Sequence, residues 1–138
     1  LARWGAATRL GLGGGGEAVA TWRASLDPGK RRLVVDYEEI LATGGGFAGH
    51  GVMMVDPADH AVLWFWFDDF GFAPLPPGRG VWGSGRLSVE RRTVRGVGRT
   101  SWTLDGDRLV QEVSIKAPDD DVFTVVSTMT LQRQTSAT

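Results

Sequence analysis

The stretch that decides the fold runs over residues 98 to 113, Gly98-Arg99-Thr100-Ser101-Trp102-Thr103-Leu104-Asp105-Gly106-Asp107-Arg108-Leu109-Val110-Gln111-Glu112-Val113. Two arms rich in Thr, Val, Leu and Trp flank Asp105-Gly106, a dipeptide suited to the positive φ angles of a tight hairpin turn. Side chains alternate across a strand, so the turn determines which residues share a face. Folding the arms with Leu104 opposite Asp107 sets Trp102 opposite Leu109, Thr100 opposite Gln111 and Gly98 opposite Val113. That face is apolar, with two polar residues set into it. The other face holds Arg99, Ser101, Thr103, Arg108, Val110 and Glu112, which suits water.

The same arithmetic extends outward. A turn at Arg91-Arg92 groups Val94, Gly96 and Gly98 with Val89, Leu87 and Gly85, so two hairpins agree on the face of their shared strand. Across Pro28-Gly29, Trp22, Ala24 and Leu26 meet Leu33, Val35 and Tyr37, leaving Arg23, Asp36 and Glu38 outside. With residues 57 to 60 as a loop, Met53 faces Trp64, Gly51 faces Trp66 and Gly49 lies beside Asp68. The last strand turns Phe123, Val125, Ser127, Met129 and Leu131 inward. Turn signals recur roughly every ten residues, and the runs between them lack helical spacing. The reading is eight or nine strands with no long helix, spanning 2–10, 17–27, 31–42, 47–56, 61–69, 81–91, 93–105, 107–117 and 122–133. Strands joined in order by short turns, each apolar on one face, close most simply into one antiparallel up-and-down β-barrel without free edges. A two-sheet sandwich is the alternative. Gly83, Gly85, Gly96 and Gly98 thin the inward wall, which leaves room for a central cavity in a barrel of about eight or more strands.

A length of 138 residues predicts one domain over residues 1–138. Fifteen Lys and Arg against sixteen Asp and Glu give a net charge of −1, so no positive field draws in a nucleic-acid backbone or an anionic membrane. Zero Cys excludes disulfides, thiolate metal sites, iron–sulfur clusters and cysteine nucleophiles. No stretch approaches the ~18 apolar residues of a membrane span, and Leu1-Ala2-Arg3-Trp4 does not open an apolar signal segment. The expectation is a soluble, cytoplasmic domain with no nucleic-acid partner. Twenty Gly are about twice ordinary usage. Six Trp stand against a single Tyr.

Motifs that imitate chemistry dissolve on inspection. Asp68-Asp69, Glu38-Glu39 and Asp119-Asp120-Asp121 are adjacent acids, which point to opposite faces of a strand and read as solvated turn residues. Asp56, Asp59 and His60 share an Asp-Pro turn and are not assigned a metal, and Ser84 in Gly83-Ser84-Gly85 lacks the strand-turn-helix of a nucleophile elbow. Residues 11 to 16 match Gly-x-Gly-x-x-Gly, with Asp36 twenty residues beyond Gly16. A dinucleotide site needs a buried strand before the glycines and a helix behind them. Neither pattern is present, so the segment reads as a Gly-rich hairpin loop and no cofactor is expected.

Val55-Asp56-Pro57, Trp66-Phe67-Asp68 and Gly71, together with Phe47, Gly49, Gly80, Trp102 and Asp105-Gly106-Asp107, resemble an uncharacterised family of bacterial calycin-like barrels. These share a fold with lipocalins and fatty-acid-binding proteins. The resemblance covers about residues 18 to 133 and implies a closed barrel with a central pocket for a small apolar or amphipathic molecule. Related nitrobindin-like haem proteins carry a Gly-x-Trp-x-Gly opening and a proximal His near the C-terminus. This chain has Arg3-Trp4-Gly5-Ala6 and no His after His60, so haem is not expected.

The expected cavity is walled by Trp22, Trp64, Trp66 and Trp102, with Met53 and Gly98 beside them. Four polar residues face inward as well, Tyr37, Thr100, Gln111 and Ser127. Each must bond a neighbour, a water or a ligand head group. The run from Val62 to Phe67 is apolar on both faces, so Val52, Met54, Leu63, Phe65 and Phe67 form an outward strip and a candidate homodimer surface. The function expected is non-enzymatic binding of a small apolar or amphipathic molecule, with no catalytic residue assigned. Two other classes remain open: an isomerase or cyclase on a lipid-like substrate, using Asp68 or His50, and a homodimeric structural protein built on the strip.

Overall fold

The hairpin signalled by Asp105-Gly106 forms, and Gly106 takes the positive φ of 58° that its turn requires. It is part of a computed structural model that describes residues 18–69 and 76–134, together with the backbone of 2–11. Ten strands follow one another: β1 (Ala2–Gly11), β2 (Ala18–Leu26), β3 (Arg32–Leu41), β4 (Gly46–Val55), β5 (Val62–Asp68), β6 (Gly78–Gly83), β7 (Arg86–Thr93), β8 (Gly96–Asp105), β9 (Arg108–Lys116) and β10 (Thr124–Gln134). Each pairs antiparallel with its neighbours, and β1 pairs with β10, which closes an all-β up-and-down barrel. No helix occurs among the described residues, and hence none long and apolar enough to cross a membrane. The Gly-rich loop over 12–17 lies outside the described residues.

Two registers match the sequence reading residue for residue. Trp22, Ala24 and Leu26 pair with Tyr37, Val35 and Leu33, and Met53, Gly51 and Gly49 pair with Trp64, Trp66 and Asp68. Elsewhere the turns move. The β8–β9 turn sits one residue later than expected, so Leu104 pairs with Leu109 and Trp102 with Gln111. That shift changes every pairing by two residues, an even number, and the inward set survives.

The larger correction concerns residues 78–96. Ser84 and Gly85 adopt positive φ, 53° and 74°, and make a tight turn that splits the expected strand 81–91 into β6 and β7. β7 then runs on through Arg91 to Thr93 and turns only at Val94-Arg95, so Arg91 pairs with Gly98. Of the four glycines expected to thin the wall, Gly83 and Gly85 are exposed at a turn, and Gly96 packs against the Lys116 carbonyl. Gly96 and Gly98 both line the cavity, and of the two only Gly98 has open space where a side chain would go. In β10 a bulge between Val125 and Ser127 exposes Val125 and brings Val126 inward. Phe123, also expected inside, instead lies beneath the Arg99 guanidinium, 3.7 Å from ring centre to Cζ.

Turns at 27–31, 56–61, 84–85 and 106–107 gather at one end of the barrel. That end is filled. Ala24, Val35, Leu87, Leu109 and Leu131 are buried there, and each large apolar side chain removed from water contributes about 1.5–3 kcal/mol. Arg79 on β6 fastens the β4–β5 loop at this end by reaching both Asp56 and Asp59. Among the described residues the ladders are shortest at β5–β6, with three pairs, and at β1–β2, with four.

Candidate functional site

The open half of the barrel is shaped by glycines on β4. A Cβ on Gly49 would collide with the Trp66 ring, and one on Gly51 with the Trp64 ring, so both indoles lie directly against the β4 backbone. From there the aromatic rings run on in a row. Trp66 stacks on Trp64 at 5.7 Å between ring centres, and Trp64 meets Trp102 edge-on at 5.1 Å. In the other direction Trp66 meets Tyr37 at 5.9 Å, and Tyr37 meets Phe47 at 5.4 Å. Such offset and edge-on contacts are the favoured aromatic geometries. One row of rings thereby spans the interior from β4 to β8.

Above this row is a cavity of about 540 Å³, within the range of roughly 300–1,000 Å³ usual for small-molecule sites. It opens towards the end of the barrel that carries the 94–95 turn. Trp22, Trp64, Trp66, Trp102 and Gly98 line it, as do Tyr37, Thr100, Gln111 and Ser127. Met53 does not. It sits one step nearer the filled end and packs against the core there. An added Cβ on Gly98 would meet no atom within 4 Å, so the wall at this point faces open space.

At least three of the four inward polar residues, Tyr37, Gln111 and Ser127, are engaged within the protein. The Trp102 Nε1–H donates to Gln111 Oε1 at 2.7 Å. The Tyr37 hydroxyl donates to Glu39 Oε2 at 2.6 Å and stands 3.5 Å from Met129 Sδ. Glu39 is only 2% exposed, although the sequence reading placed it with the solvated acids. Asp68 also lines the cavity and accepts the Trp66 Nε1–H at 3.0 Å. His50 points the other way, into solvent, with Nδ1 2.8 Å from Asp36 Oδ1. Asp56 and Asp59 are committed to Arg79, and no cluster among the described residues could hold a metal ion.

Arg91 is the residue that sequence reasoning missed most completely. Assigned to a turn, it stands on the inner wall of β7, and its Nε is buried with no hydrogen-bond partner among the described residues. Burial pushes its pKa down from the usual guanidinium value, yet an arginine keeps its charge in a protein. The parity of Leu87 and Val89 points to Arg91 next, once the strand is allowed to continue.

The outward strip lies where the alternation put it. Val52 pairs with Phe65 and Met54 with Leu63 on the face away from the cavity, all half-buried, with Phe67 more exposed beside His50. Neither a protein-family model nor a curated protein matches the chain.

Proposed function

We propose that this barrel binds a small apolar or amphipathic molecule in its open half, without catalysing a reaction. The observation that carries the reading is the 540 Å³ cavity floored by a continuous row of indoles, with unfilled space over Gly98. Ligand surface covered by those rings is worth about 25 cal/mol per Å² before the costs of association. The up-and-down barrel is compatible with the calycin-like family that the sequence resembles, and a ligand of this kind is what that resemblance implies. The isomerase or cyclase reading keeps one of its two candidate residues, since Asp68 lines the cavity and His50 does not.

The test is titration with cis-parinaric acid, a fluorescent polyene fatty acid, against the wild type and Gly98→Leu. The leucine Cβ meets no atom within 4 Å, so the backbone need not shift for the side chain to extend into the cavity. We expect affinity to fall by at least about tenfold, with an unchanged circular dichroism spectrum. Equal uptake by the variant refutes the cavity assignment, as does no uptake by the wild type.

A further inference from the structure

Four arginines on the outside of the barrel are answered by acids. Arg32 pairs with Asp27 at 2.8 Å, Arg99 with Glu90 at 2.7 Å and Arg108 with Asp105 at 3.2 Å, while Arg79 holds two aspartates. Water would stabilise these charges without help. Arg91, which faces the interior, takes part in none of the ion pairs among the described residues. Among the described residues its Nε, sealed from solvent, has no hydrogen-bond partner, and its Nη2 reaches only the Trp64 carbonyl, at a long 3.5 Å. A partly desolvated cation with no acid paired to it among the described residues is costly to keep in a fold.

The acids lining the same cavity are engaged elsewhere. Glu39 takes the Tyr37 hydroxyl on β3, four strands round the wall from β7, and Asp68 takes the Trp66 indole N–H. Space for a missing partner exists beside Arg91. Its ladder partner is Gly98, over which the cavity is empty for 4 Å, and Thr100 offers a hydroxyl on the same face of β8. Trp64 and Trp102 begin where that space ends, in edge-on contact. Polar and apolar surfaces are thus adjacent in the order an amphiphile presents them.

We infer that the ligand carries an anionic head, a carboxylate or a similar compact oxyanion, that docks on the Arg91 guanidinium while its apolar body covers Trp64 and Trp102. The inference rests on the cavity reading above. Nε is closed to the cavity, so the two terminal Nη groups of the planar Arg91 fork are the ones that suit a two-oxygen head, and a charge-assisted bond in a partly desolvated site is stronger than a neutral one.

The experiment compares cis-parinaric acid with its methyl ester, which has the same apolar body and no charge. The wild type should bind the acid at least about tenfold more tightly than the ester. Arg91→Met should erase that preference and leave ester affinity within about threefold, whereas Arg91→Lys, which keeps the charge without the fork, should retain part of it. Equal affinity of the wild type for the two probes overturns the anionic head but leaves the cavity standing. A preference that persists in Arg91→Met overturns the role of Arg91. If neither probe binds the wild type, the cavity reading fails and takes this inference with it. The wild-type comparison needs no variant, so the test does not depend on how well a substituted chain folds.

Discussion

At the scale of single residues, a group retained for binding and one retained for folding make opposite predictions. A buried donor left without a partner costs about 1–3 kcal/mol, and Arg91 Nε is such a donor. Arg91→Met keeps the length of the side chain, removes the charge and packs against the same wall. The ligand-free variant should therefore melt at a higher temperature than the wild type, by a few degrees. Differential scanning calorimetry of delipidated protein decides this, and a lower melting temperature would show that the guanidinium supports the fold. Arg91 and Glu39 were hard to recognise in the sequence for the same reason. Alternation from Leu33, Val35 and Tyr37 marks Glu39 as inward, and alternation from Leu87 and Val89 marks Arg91, but a pair of adjacent charges read as solvated turn residues in both cases. Pattern was the better guide here than polarity, because a cavity can hold charges that a packed core cannot.

At the scale of elements, the hairpins show which pairing errors matter. The β8–β9 and β7–β8 turns both lie away from their expected places, yet each displacement changes the pairing by an even number of residues, so Trp102, Thr100, Gly98, Leu87 and Val89 keep the inner face. The β4–β5 hairpin carries a clamp whose strength depends on pH. The Ala61 backbone N–H, and then Arg79, hold the Asp59 carboxyl below its ordinary value of 3.8. At the neighbouring hairpin the Arg31 and Arg32 backbone N–H groups do the same for Asp27. A depressed folded-state pKa contributes stability that is complete above the unfolded value and lost as pH falls through the folded one. Thermal stability should accordingly drop below about pH 4, and Asp59→Asn should flatten that acid limb while lowering the plateau near neutrality. Melting curves collected from pH 2.5 to 7 test this, and an acid limb unaltered by the substitution would remove Asp59 from the account.

At the scale of the molecule, one end of the barrel is packed and the other holds the open cavity, and the ladder is uneven around the circumference. Among the described residues three pairs join β5 to β6, whereas nine join β2 to β3 and nine join β8 to β9. Amides of β6 near Gly78 and Gly80 should exchange with solvent faster than those of β3 or β9, because local opening costs least where few ladder bonds and little apolar burial resist it. Hydrogen exchange read by mass spectrometry would show the order, and uniform protection around the ring would contradict it. The sequence by itself determined that the chain is all-β, that its strands follow one another antiparallel, and which face of most strands turns inward. Those properties follow from local alternation and turn chemistry, which need no knowledge of distant residues. Only the tertiary structure decided that the rings of Trp64 and Trp66 lie in the space freed by Gly51 and Gly49, that Met53 belongs to the filled end, and that Arg91 faces open space over Gly98. These depend on how far up the barrel each side chain sits and on what stands across the interior, which curvature and closure set and no single strand encodes.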